Sequence, residues 1–326
     1  MKLLATIALV ISLSGCSQSR SAPRAYITNE RDGTITVIDT KNDEVQQTFK
    51  LGGRARGIRI SPDGSRLYVA LSTPRGKPYS PADNKITAID PGSGKTLASY
   101  NVGSDPEMLS LSADGNRLFA SNEDAGTCSV FDLKSGRMLA TLIVGIEPEG
   151  VTTSPDGRWV YVTAETSNSV SVINTVDNQV VSTFLVGARP RDTAFSPDSA
   201  IAYVSAENGK TLSVVDAKTH SVVQTILLGT GSDVKPKGIA VSPDGKRLYV
   251  GLGRANSVAV LDASTRQLIA DIAVGKRPWG VALTPDGNKL YTANGLSNDV
   301  SVIDTATNTV VRTIRAGDGP WGIAIR

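Results

Sequence analysis

Beyond residue 24 the chain alternates short runs rich in Val, Ile, Tyr and Thr with clusters of Gly, Pro, Asn, Asp and Ser, and it lacks the apolar period of an amphipathic helix. In the last full unit these runs are Gly280–Leu283, Lys289–Ala293, Val300–Asp304 and Val310–Ile314, four short strands separated by turns. The turns recur. Ser-Pro-Asp-Gly stands at Ser61–Gly64, Ser154–Gly157 and Ser242–Gly245, with variants at Ser112–Gly115, Ser196–Ser199 and Thr284–Gly287. A second marker, Asp39, Asp90, Asp132, Asn174, Asp216, Asp262 and Asp304, gives spacings of 51, 42, 42, 42, 46 and 42. A period near 42 residues holding four antiparallel strands predicts a β-propeller blade.

The two ends complete the count. Pro320-Trp321-Gly322-Ile323 repeats Pro278-Trp279-Gly280-Val281, and Ala25-Tyr26-Ile27-Thr28-Asn29 matches Leu290-Tyr291-Thr292-Ala293-Asn294. The expected fold is therefore all-β: a seven-bladed β-propeller of four-stranded antiparallel blades over 25–326, with N-terminal strands completing a blade begun by the C-terminal strand. Four residues after each Asp marker comes a hairpin slot, Asp43, Gly94, Gly136, Asn178, His220, Arg266 and Asn308, expected to be left-handed. This places His220 as a turn residue on the lower rim and reads Gly92-Ser93-Gly94-Lys95-Thr96 as a turn, not a phosphate loop.

Ahead of the repeat, Lys2 and the apolar run Leu3–Leu13 are too short to span a bilayer and read as a signal peptide over 1–15. Leu13-Ser14-Gly15-Cys16 resembles the lipobox of bacterial lipoproteins. The resemblance implies lipidation of Cys16, a polar tether over 16–24, and anchoring to the cell envelope, at the periplasmic face of the outer membrane. Cys128 is then the only other cysteine, and its strand-like setting predicts a buried thiol.

Charge and composition narrow the chemistry. A net charge of +3 from 34 Lys+Arg against 31 Asp+Glu gives no electrostatic footprint for nucleic acid, and one His excludes any multi-His metal site. Where the repeats depart from their own consensus, function has room. A nine-residue insertion between Val69 and Ile86 and a four-residue one at Gly229–Lys235 both extend the upper face. On that face the residue before each inner-strand Gly position is Arg56, Glu107, Glu149, Arg191, Lys237, Trp279 or Trp321. Glu123, Glu165 and Glu207 follow second strands nearby. These ten residues are the expected ligand-binding group, acidic on one arc and basic on the other, with two Trp faces for a planar group or a cation.

Arg158-Trp159-Val160-Tyr161-Val162-Thr163 and Asn298–Thr305 resemble the YVTN repeat of bacterial and archaeal seven-bladed propellers. Asp105-Pro106-Glu107, Asn122-Glu123-Asp124, Glu147-Pro148-Glu149-Gly150, Glu165–Asn168, Arg189-Pro190-Arg191 and Asn294–Asp299 further resemble the YVTN propellers associated with PQQ-dependent catabolism. That resemblance implies a non-catalytic binding, scaffold or accessory role in the envelope, engaging a small charged ligand or an envelope protein. One alternative is a metal-dependent, lactonase-like hydrolase or lyase, with Glu107, Glu123, Glu149 and Glu165 able to offer oxygen ligands to Ca²⁺. The other, resembling YncE-like proteins, is single-stranded DNA binding. No specific motif supports a cofactor, whether calcium or PQQ.

Overall fold

A computed structural model describes residues 23–326. The signal peptide, Cys16 and most of the expected tether lie outside the described residues. Among the described residues 28 strands form seven separate four-stranded sheets, as the 42-residue period requires. The ring closes as expected. The inner strand of blade one is Pro320–Ile325, and it pairs antiparallel with Arg24–Asn29 through Ala25↔Ile325 and Ile27↔Ile323. Blades two to seven follow in chain order, and each begins at its innermost strand.

The turns show why the repeat folds. In the first Ser-Pro-Asp-Gly, Asp63 Oδ1 accepts the Ser65 N–H at 2.9 Å and the Ser61 hydroxyl at 2.5 Å, while Ser61 Oγ accepts the Arg66 N–H at 3.0 Å. One carboxylate thus closes the turn and aligns the next strand. All seven hairpin-slot residues are left-handed, from 54° at His220 to 71° at Gly136. His220 spends its Nδ1 on the Tyr161 hydroxyl at 2.7 Å and packs edge-on against Trp159.

Each seam between blades is apolar. Phe119, Cys128 and Val130 of blade three, for example, pack on Val151, Val160 and Val162 of blade four. Cys128 is fully buried, which pushes its thiol up to about 12. Near the axis the inner strands approach so closely that a side chain has no room. A Cβ on Gly150, Gly238, Gly280 or Gly322 would sit 2.6–2.7 Å from a backbone oxygen of the next blade. The glycines of the x-Pro-X-Gly entry are therefore packing requirements.

Candidate functional site in the axial channel

A β-bulge aims the site residues. In blade four Pro148 faces Ala164 but Val151 faces Val162, so three steps on the inner strand match two on its partner. The same slip occurs at Ala55/Ile58, Pro106/Leu109, Pro190/Thr193 and Pro278/Val281. The extra residue breaks the strict alternation of a strand. Glu149 and Thr152 both line the axial cavity, while Val151 between them is fully buried in the blade core.

The cavity measures about 570 Å³ and follows the axis from the level of Trp279 and Trp321 down to Pro155, Pro243 and Pro285 of the lower turns. Of the ten expected residues, Glu149, Arg191, Lys237, Trp279 and Trp321 line it. Arg56, Glu107, Glu123, Glu165 and Glu207 stand behind or beside that wall, tied into the same charge network. Seven of the ten, the Trp pair and Glu123 excepted, are buried.

The acidic and basic arcs are interleaved rather than apart. Arg56 of blade two pairs with Asp105 and Glu107 of blade three. Arg191 of blade five reaches Glu149 at 2.7 Å and also contacts Glu165, both from blade four. Lys237 of blade six donates to Glu207 of blade five at 2.7 Å. Lys237 Nζ also lies 3.9 Å from the Trp279 ring centre, and the Arg277 guanidinium 4.7 Å. Trp279 in turn stacks on Trp321 with ring centres 6.2 Å apart. Cations of the chain itself therefore cover the Trp279 ring.

Crowding charges out of water moves their proton affinities. Burial pushes Glu149 well above the ordinary carboxylate range; Arg191 opposes the shift and the hydrogen bond to Glu165 adds to it. Burial would raise Glu165 too, but the Glu149 proton and Arg191 hold it low. The two carboxyls of this pair are thus moved apart, Glu149 upward and Glu165 downward. Burial lifts Glu123 to about 7 against the pull of Arg56. Burial brings Lys237 down to about 7, with Arg191 assisting and Glu207 opposing. A buried acid of raised proton affinity and an amine that titrates near neutrality are the equipment of acid–base catalysis.

The expected calcium ligands meet a competitor. Glu123, Glu149 and Glu165 bring carboxylate oxygens within 4.8 Å of one another, as do Asp105, Glu107 and Glu123. Arg191 already stands among the first set and Arg56 among the second. A guanidinium supplies the positive charge that a divalent ion would bring, so these donors do not fit a metal. The chemistry available rests on the chain's own acids and bases.

Three wall residues escaped the sequence reading: Arg59, Met108 and Asp192. Their signal was present. Met108 and Asp192 replace the inner-strand Gly of the other five blades, and Arg59 stands where Ala194, Ala240, Ala282 and Ala324 stand elsewhere.

Comparison with known proteins agrees with the fold. The family model described as "Lactonase, 7-bladed beta-propeller" matches residues 177–314, which is less than half of the chain. The chain is similar in structure to the periplasmic gluconolactonase of Pseudomonas aeruginosa, at 20% identity and a TM-score of 0.77 over 93% of this chain and 98% of that one. It also resembles Kuenenia stuttgartiensis hydrazine synthase, at 22% identity and a TM-score of 0.75 over 86% and 95%. A comparison with curated protein sequences finds no match. The lactonase match overturns the expectation of a non-catalytic binding or scaffold protein and points to a lactonase-like propeller instead. The physical reason lies in the site: the charges read as a recognition surface are buried and proton-shifted inside a channel.

Proposed function

We propose that this protein hydrolyses a lactone in its axial channel. One observation carries the reading: the segment matched by the lactonase family model includes Arg191, Lys237 and Trp279 of the cavity wall. Lys237 in its neutral form takes a proton from a water molecule, whose oxygen attacks the lactone carbonyl carbon. Arg191 stabilises the oxyanion, which a buried guanidinium held in place does better than bulk water. Glu149, whose proton affinity burial raises, donates its proton to the ring oxygen as the carbon–oxygen bond breaks. Lactone and water give a hydroxy acid, which leaves as a hydroxycarboxylate and a proton.

The test is proton release from δ-gluconolactone and a panel of unsubstituted lactones, measured above their spontaneous hydrolysis. A rate above background that disappears with Arg191→Met supports the reading. A wild-type rate equal to background on every lactone refutes it.

The finer reading of the repeat as YVTN-type is supported by Arg158–Thr163 and Asn298–Thr305. The Leu-Ser-Gly-Cys motif supports an envelope location with lipid on Cys16. Cys16→Ser then abolishes incorporation of radiolabelled palmitate; unchanged labelling would remove the anchor.

A further inference from the structure

Below the reaction level the channel carries a second charged station. Arg59 reaches the cavity from blade two and Asp192 from blade five. Three strand steps lead from Arg56 to Arg59 across the bulge, which sets Arg59 about 7 Å further along the strand. The Arg59 guanidinium makes one protein hydrogen bond, Nη1 to the carbonyl of Ile58 at 2.9 Å. Among the described residues it pairs with no carboxylate within ion-pair distance, and Asp192 is the one charge it senses. Asp192 in turn senses only Arg59. Its carboxylate accepts the Thr193 N–H at 2.8 Å and the Ile239 N–H at 3.1 Å, leaving a lone pair on each oxygen.

This contrasts with every charge one level up. Arg56, Arg191 and Lys237 each hold carboxylates within reach, whereas Arg59 keeps donors for something else. A half-buried guanidinium without a carboxylate partner is open to one, and a ligand carboxylate meets it through two parallel N–H···O bonds. The walls leave space for one. Ala194, Ala240, Ala282 and Ala324 line this stretch with methyl groups, and the blade-six inner strand beside Asp192 is only Ile239–Val241.

We propose that this waist of the channel is a carboxylate site for a small hydroxycarboxylate, with Arg59 gripping the carboxylate and Asp192 accepting a hydrogen bond from a hydroxyl. The identity of the anion rests on the lactonase reading, since ring opening creates a carboxylate and a hydroxyl in one molecule. The site itself rests on Arg59 and Asp192. It receives the product away from Lys237 and Glu149 and clears the reaction level for the next lactone.

The probe is sodium gluconate, titrated calorimetrically into the full-length protein, with sodium chloride as ionic-strength control. Wild type binds gluconate, and Arg59→Met weakens binding about tenfold or more, as loss of a charge-assisted pair requires. Arg59→Lys keeps the charge without the fork and covers the case in which Arg59→Met fails to fold; it weakens binding severalfold. Equal affinity in wild type and either folded variant, or no gluconate binding by wild type at millimolar concentration, overturns the proposal. The titration needs no turnover, so the two readings fail separately. Arg59-dependent binding without lactone hydrolysis removes only the reaction, and hydrolysis without Arg59-dependent binding removes only the waist site.

Discussion

Lys237→Met is the sharpest perturbation of the reaction level. Lys237 is 3% exposed, its ammonium lies 2.7 Å from Glu207, and burial sets its proton affinity at about 7. Breaking a buried ion pair ordinarily costs about 3–5 kcal/mol. Two features reduce that here. Burial already lowers the proton affinity of Lys237 to about 7, and Glu207 retains Arg189 at 3.4 Å and Arg191 at 3.7 Å. The expected loss is therefore about 2 kcal/mol or less, a few degrees in Tm for a chain of this size.

The activity change is much larger, because removing a general base costs roughly 100- to 10,000-fold. The sign of the pH dependence follows from the depressed folded value. Lys237 gains its proton, and stops acting as a base, as pH falls through about 7. Wild-type kcat/KM thus rises along an acid limb centred near 7, and the limb is missing from any residual activity of the variant. The assay is kcat/KM for δ-gluconolactone between pH 5 and 9, corrected for spontaneous hydrolysis, beside thermal unfolding at pH 7. A folded Lys237→Met within threefold of wild type would refute the assignment of the base.

Glu149→Gln lowers kcat by about 100-fold or more through loss of the proton donor. Because its folded affinity is raised, protonated Glu149 contributes stability that is complete below the ordinary carboxylate value and lost as pH climbs, so the Gln variant gains on wild type at alkaline pH in urea titrations. Calcium should leave both Tm and activity unchanged, since Arg191 stands among Glu149 and Glu165; a calcium-dependent rise in Tm contradicts that account. Gly280→Ala would press its Cβ to 2.6 Å from the Trp321 carbonyl oxygen and lower the urea midpoint by about 1–3 kcal/mol of stability. Gly92→Ala, whose Cβ meets only the Asp90 carboxylate at 3.4 Å, stays within about 0.5 kcal/mol.

The repeat made the architecture legible without coordinates. Seven markers at a 42-residue period, strands of four or five residues and matching ends leave one closed arrangement, since each blade must bury both faces against neighbours. Local chemistry was readable for the same reason. The left-handed slot at His220 and the aspartate-closed turn at Asp63 depend on residues within five positions of each other. The end of the inner strands at which insertions and irregular charges gather was also visible.

What each charge does there was decided by tertiary structure. Arg191 meets Glu165 and Lys237 meets Glu207 because separate blades converge on one axis, and a one-dimensional pattern carries no distance between blades. Burial then reverses the meaning of the residues. A rim of ions that would stay fully charged in water becomes a Glu149 of raised proton affinity, a Glu165 held low and a Lys237 poised near neutrality. Arg59 and Asp192 make the same point across the channel. Each was readable as a departure from its own repeat, but only the closed ring brings them onto one cavity, with no carboxylate of the described residues within ion-pair distance of Arg59.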